Sequence, residues 1–397
     1  MEAPYIPTPM TAAPIYLDHA ATTPVRPEVF EAMTPYFGPR FGNASSTHRW
    51  GREARAALDE SRERVARCLG AAPDEVCFTS GGTEGDNLAV LGGWRVLKAQ
   101  GKTAIVSSPM EHKAVLQAVH QAAKEGAEER LLKAEGNGTV SMEDARVQIG
   151  AGGLALTSVM WINNETGVIQ PIDELAQLTK AAGGLFHTDA VQAFGKIDID
   201  ARRIPFDFLA VSGHKFGAPK GIGAFFIRRG TPFEPLFFGG TQDRGRRPGT
   251  ENVPYAVGLA RAMELAVEER EAHWIALEVM RDRLEAALLE RVPDALVHGR
   301  GARRAPHILN VSVPGTDSES LLMALDLQGV AASSGSACQS GSVLPSHVLA
   351  AMGVRADLAS AAVRLSLGAL STPADIDRVA ALFPALIQKA RGLAGVA

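Results

Sequence analysis

Apolar positions recur along this chain in two rhythms. Apolar residues three and four apart predict helices at 53–69, 86–98, 113–125 and 172–182. Between most of them lie short β-rich runs at 76–79, 104–107, 155–162, 185–188, 208–211 and 224–228. Strands alternating with helices predict a mainly parallel sheet covered on both faces. The last two runs leave no room for a helix between them. They predict a hairpin, and so a mixed sheet. A helical pattern then runs through 254–292, with Met263, Val267, Trp274, Leu277, Leu284 and Leu288 on one face. Its length suits a helix joining two domains. The pattern restarts as strand 307–313, helix 318–328, strand 330–333, helix 346–352 and strand 362–367. Thr372-Pro373-Ala374-Asp375 is a helix start, with a capping hydroxyl, a proline at the first position and an acid at the third. A kink or stop is expected at Pro384. The expected fold is α/β: an arm at 1–14, a large domain at 15–262 and a smaller α+β domain at 263–397, with the first residues after the arm packing on the smaller one.

Composition narrows the possibilities. The 397 residues are 46% hydrophobic and 21% charged, which excludes a disordered chain. Lys+Arg 40 against Asp+Glu 44 gives a net charge of −4, which argues against bulk-charge binding to nucleic acid or an anionic membrane. No apolar run reaches the ~18 residues that span a bilayer, and the first residues lack the basic-then-apolar pattern of a secretory signal. Cys68, Cys77 and Cys338 cannot make a disulfide framework and offer no C-x-x-C metal site. A reducing cytoplasm is the expected compartment.

Three segments carry candidate chemistry. Thr79-Ser80-Gly81-Gly82-Thr83-Glu84-Gly85-Asp86-Asn87 follows a strand and opens a helix. Glycines, free amides and a helix start together suit a phosphate cradle, or an ordinary glycine-rich turn. The pattern is neither of the common nucleotide-binding loops. Ser212-Gly213-His214-Lys215 places a lysine at the end of a strand, where desolvation would favour the neutral amine that forms Schiff bases, although an exposed loop lysine reads the same way. Asp189, at the end of another β-rich run, could hold a pyridinium nitrogen or cap a helix. A phosphate anchor, a carboxylate and an amine are together what pyridoxal 5′-phosphate (PLP) requires.

These segments occur in order with Tyr16-Leu17-Asp18-His19-Ala20-Ala21-Thr22-Thr23-Pro24, Glu111-His112-Lys113, Asn163-Asn164-Glu165-Thr166-Gly167 and Ser333-Ser334-Gly335-Ser336-Ala337-Cys338. The ordered set, over about residues 15–390, closely resembles the cysteine desulfurases of the class V aminotransferase group, of PLP fold type I. The segment continuing to His347 resembles the long-loop branch that supplies sulfur for iron–sulfur clusters.

The resemblance implies roles. Lys215 would carry the cofactor as a Schiff base. Asp189 would pair with the pyridine nitrogen, and Gln192 would hydrogen-bond the ring hydroxyl. Gly82, Thr83, Ser212 and His214 would hold the phosphate, and Thr250 would reach the phosphate of the other subunit of a homodimer. His112 would stack on the ring and move protons. Asn164 and Arg364 would clamp the carboxylate of L-cysteine, a task that suits a planar guanidinium. Cys338, as a thiolate, would take the substrate's sulfur as a persulfide and pass it to an iron–sulfur scaffold protein or another acceptor, leaving L-alanine. A PLP aminotransferase or a selenocysteine-preferring lyase would share the cofactor residues without the same need for Cys338. Cys68 and Cys77 fit a core. Arg244, Arg246 and Arg247 fit either a site mouth, an acidic partner surface or a solvated loop. His347 fits a helix start, and His48 has no evident role.

Overall fold

The computed structural model describes residues 13–335 and 345–394, so Cys338 and the first twelve residues of the expected arm lie outside the described residues. The chain enters through a short strand, β1 (Ile15–Tyr16). Seven strands then build the main sheet: β2 (Val76–Thr79), β3 (Ala104–Ser107), β4 (Glu128–Leu131), β5 (Leu154–Ser158), β6 (Leu185–Asp189), β7 (Phe208–Ser212) and β8 (Gly223–Ile227). Their order is β2-β8-β7-β6-β5-β3-β4. All pairs from β7 to β4 are parallel, and β8 is antiparallel to both β7 and β2. The expected hairpin is therefore present, with Phe208 opposite Ile227. Because β2 and β7 both oppose β8, they run in the same direction.

The main strands are buried along their whole length, which is why their sequences read as continuous apolar runs. Edge strand β4 differs. Its Glu-Glu-Arg-Leu sequence is only partly buried, and it carries no apolar signal that would have predicted it. The helices expected at 53–69 and 113–125 are Arg49–Leu69 and Lys113–Lys124. The first is capped by His48, whose Nδ1 accepts from the Gly51 amide at 3.3 Å. His48 thus has a structural role that its sequence context did not reveal.

A second core follows. Strands β9 (Leu296–Val297), β10 (Ile308–Ser312) and β12 (Ala362–Ser366) form an antiparallel sheet, and β11 (Val330–Ala331) pairs in parallel with β1. Ile15 and Leu17 are thereby buried among Leu309, Val363 and Phe383. The helical run predicted over 254–292 is divided at Glu269 into Val253–Glu268 and Arg270–Arg291. Glu269 accepts from Arg26 Nη2 at 2.8 Å at this junction. Met263 packs in the first core, whereas Leu277, Leu284 and Leu288 pack in the second. Among the described residues, no helix is long and apolar enough to cross a membrane.

The last helix, Pro373–Ala394, starts where expected: the Asp375 amide donates to Thr372 Oγ1 at 3.2 Å. It does not stop at Pro384 but continues through it. A proline cannot donate to the carbonyl four residues earlier. Here that carbonyl belongs to Ala380, and Arg291 Nη1 donates to it at 2.7 Å. Replacing Arg291 with Met should cost about 1 kcal/mol in urea unfolding. The loss should shrink in a Pro384→Ala background, where a helical N–H takes over. Equal losses in both backgrounds would refute this compensation.

Candidate active site

The parallel arrangement gathers the chemistry at one edge. Thr79 and Ser212 both lie opposite Gly223, at the carboxyl ends of β2 and β7. Asp189 ends β6, Glu111–Lys113 follow β3, and Asn163–Gly167 follow β5. Loops at the carboxyl ends of parallel strands form a crevice. Here they enclose a cavity of about 370 Å³. Of the residues expected at the site, Gly82, Thr83, His112, Asn164, Asp189, Gln192, Ser212, His214, Lys215 and Arg364 all line it.

Lys215 sits in the short turn after β7, inside the β7–β8 hairpin. Its Nζ donates to the carbonyls of Ala20 and Ala21 at 2.7 and 2.9 Å. Burial, aided by the Arg364 charge, pulls its pKa down to about 8. The amine is held by neutral carbonyls rather than by an acid.

Asp189 is 5% exposed. Its Oδ1 accepts from the Val191 amide at 2.8 Å. Burial and the neighbouring Asp86 push its pKa up to about 7. Among the described residues, no cation pairs with this carboxyl. Behind it, Asp86 Oδ1 and His187 Nε2 are 3.5 Å apart, and His187 Nδ1 meets Ser158 Oγ at 2.8 Å. His112 caps the helix that it precedes, its Nδ1 accepting from the Ala114 amide at 3.1 Å. A neutral ring must then carry its proton on Nε2. Burial lowers its pKa and favours that neutral form.

The glycine-rich segment is a close-approach turn. Gly81 has φ +153°, and a Cβ on Gly82 would lie 2.5 Å from Val191 Cγ2. Gly223 makes the same point from the sheet: a Cβ there would lie 2.4 Å from the Val211 carbonyl oxygen and 2.9 Å from Gly81 Cα. The sequence reading missed Gly223, because nothing in its own neighbourhood marks it. No side chain caps the helix that begins at Gly82. The first amides of a helix have no intrahelical partner, so this start can receive an anion. His214 Nδ1 lies 3.1 Å from Thr22 Oγ1, and burial lowers the His214 pKa to about 4. An uncapped helix start, a carboxyl without a cation and an amine without an acid share one cavity. This donor set fits the phosphate, ring nitrogen and aldehyde of PLP.

Arg364 is buried and fixed. Its Nη2 meets Asp18 Oδ1 and its Nη1 donates to the Asn164 carbonyl, both at 2.8 Å. The Nε atom has no partner among the described residues. Thr250 does not reach this cavity. It lines a second one of about 250 Å³, with Ser80, Arg247 and Gly249. Arg247 Nε donates to Glu84 Oε1 at 2.9 Å, and Arg246 Nη2 donates to the Asp74 carbonyl at 2.7 Å. Arg244 Nη1 also donates to that carbonyl, at 3.4 Å, so all three arginines of the basic cluster have defined structural partners. Cys77 is buried, and Cys68 packs at the edge of the core.

Glu165 was not singled out from sequence. It is buried, and Ser346 Oγ donates to its Oε2 at 2.5 Å. A Cβ on Gly335 would lie 3.3 Å from Glu165 Cγ. His347 starts its helix as expected, and its Nε2 lies 2.9 Å from the Glu111 carbonyl oxygen. The two described ends flanking 336–344 are therefore both seated beside the cavity. The signal for Glu165 was its place next to Asn164, but an acid in a turn ordinarily points to water.

Known proteins align with this arrangement. The Aminotransferase class-V family matches residues 15–379. The cysteine desulfurase of Trichormus azollae is 43% identical over 379 residues, 96% of this chain and 94% of that protein. Cysteine desulfurase IscS of Dictyoglomus turgidum is 42% identical over 377 residues, 95% of each chain. Among solved structures, a NifS-like protein superposes with a TM-score of 0.88 at 34% identity, covering 95% of this chain and 100% of the other. With its sheet, its cavity and these relatives in agreement, the chain belongs to the class-V aminotransferase family and, within it, to the cysteine desulfurases.

Proposed function

We propose that this protein removes sulfur from L-cysteine, leaving L-alanine and a persulfide on Cys338. The observation that carries the reading is the single cavity holding Lys215, Asp189, the uncapped helix start at Gly82 and Arg364. PLP, when bound, supplies an electron sink for the pair released at the substrate's α-carbon. Asp189 would hold its ring nitrogen, Gln192 its ring hydroxyl, and Gly82, Thr83, Ser212 and His214 its phosphate. Lys215 would anchor its aldehyde.

The chain's own groups do the rest. Arg364, oriented by Asp18 and the Asn164 carbonyl, receives the substrate carboxylate together with Asn164. A neutral Lys215 Nζ would take the α-proton. His112, which lines the same cavity with its proton on Nε2, would serve as a proton donor. The Cys338 thiolate attacks the substrate sulfur. The carbon–sulfur bond breaks with its electron pair left on the carbon side, and protonation there completes L-alanine. The sulfur acceptor is an iron–sulfur scaffold protein or another sulfur carrier, and the compartment is the reducing cytoplasm. The second cavity beside Ser80, with Thr250, and the exposed Phe238 (88%) and Phe41 (72%) support a homodimer in which Thr250 reaches the partner's phosphate site.

Intact-protein mass spectrometry after L-cysteine should show one added sulfur atom on Cys338. Cys338→Ser should lose both this adduct and sulfide release. Sulfide release from that variant at the parental rate would disprove the persulfide route. The Lys215 amine must be neutral to take up the cofactor, and its pKa lies at about 8. Uptake by the cofactor-free chain, followed by visible absorbance, should therefore rise about tenfold per pH unit below that value and level off above it. Arg364→Leu removes a charge that lowers this pKa, so its midpoint should move upward. Sedimentation should give a dimer, and Phe238→Glu should shift it toward monomer. A fully active parental monomer would contradict the shared site.

A further inference from the structure

Gln192 is held from two sides. Its Nε2 donates to the Ala20 carbonyl at 2.9 Å. Its Oε1 faces His307 Nε2 at 3.3 Å. Both side chains are buried, Gln192 at 7% and His307 at 3% exposure. They come from different parts of the chain. Gln192 follows β6 and lines the main cavity, whereas His307 immediately precedes β10, whose Leu309 and Val311 belong to the second core.

The protons on this contact can be assigned. An amide oxygen only accepts, so His307 Nε2 must donate. A neutral His307 then has a bare Nδ1, and that atom lacks a partner among the described residues. Burial holds the His307 pKa well below its ordinary value, and the charged groups acting on it, Lys196, Arg364 and Arg281, are all basic. The ring stays a neutral, one-sided donor. Turning the Gln192 amide over would set its oxygen against the Ala20 carbonyl and its NH2 against the His307 N–H. Only one orientation survives. In it, one amide proton goes to Ala20 and the other is left for the cavity. The same Ala20 carbonyl accepts from Lys215 Nζ at 2.7 Å, so the locked amide and the reactive amine share an anchor.

We propose that His307 is a positioning residue: it locks the Gln192 amide so that its remaining proton faces the cofactor ring, tying the second core to the cavity. The inference rests on the reading of Gln192 as the partner of the ring hydroxyl. A donor on that oxygen stabilises its anionic form. Loss of the donor leaves the oxygen more basic and tightens its hold on the nearby proton, so the bound cofactor should titrate at higher pH.

The test uses holoenzyme and reads the pH midpoint of the cofactor's visible absorption band. His307→Leu should raise the midpoint by roughly half a pH unit, the size expected from weakening one hydrogen bond. His307→Gln keeps a donor and should restore the parental midpoint. Gln192→Ala should raise it at least as far, and His307→Leu added to Gln192→Ala should move it no further. His307→Met serves as the apolar variant if the leucine chain does not fold. A midpoint that moves with Gln192→Ala but not with His307→Leu, or shifts that add in the double variant, would overturn the role of His307 alone. A midpoint that ignores Gln192→Ala would overturn the placement of Gln192 at the ring, and this inference with it.

Discussion

Lys215 and Asp189 line one cavity without neutralising each other. Neighbouring parallel strands, β6 and β7, deliver them to the same edge, with Asp189 opposite Ala210. The Lys215 amine is instead drawn to the carbonyls of Ala20 and Ala21, and the Asp189 carboxyl to the Val191 amide. An unpaired buried charge costs several kcal/mol, and the usual escape is a shift toward the neutral form. Both groups show it, the amine falling to about 8 and the carboxyl rising to about 7. A direct ion pair would have removed the strain and the reactivity together. The carbonyls of Ala20 and Ala21 take the amine's hydrogen bonds instead.

That separation explains why the chain's first strand crosses to its far end. Strand β1 pairs with β11, which fixes Asp18, Ala20 and Ala21 relative to both cores. Asp18 turns Arg364 toward Asn164, and Ala20 serves Lys215 and Gln192 together. One short segment thus sets the positions of an amine, an amide and a guanidinium. Cores of two sizes could slide against each other without it. Hydrogen bonds from His19 and Ala20 to Ser366 tie the same segment to β12.

The parts of this design that were legible in sequence are those with a local rhythm. β2 and β3 have the expected bounds, because buried strands are short apolar runs with turns beside them. The residues that line the cavity were legible through motifs that combine strand ends with glycine, lysine or acid. What escaped was what depends on distant partners. Strand β4 is polar because only one of its edges is paired, with β3. Where the last helix passes through Pro384, the Ala380 carbonyl that the proline leaves free is met by Arg291, far away in sequence. Gly223, Glu165 and His307 each matter because of a neighbour from another segment, and no periodicity announces such a neighbour.

The division of labour between the two cores follows from the same geometry. The first core holds the groups suited to gripping a cofactor: the uncapped helix start, Asp189 and Lys215. The β12 strand and the segment after β11 contribute Arg364, Ser333 and Gly335 to the cavity wall. Arg364, on a different layer from Asp189 and Lys215, can be adjusted by packing without disturbing those two. Such an arrangement works only if the layers are tied where they meet. Arg364 supplies one tie, from β12 to the Asn164 carbonyl. Asn310 supplies another, from β10 to the Glu165 carbonyl at 3.1 Å. Both ties end on backbone carbonyls of one turn, so Arg364 and the described residues flanking 336–344, which meet Glu165, share one footing.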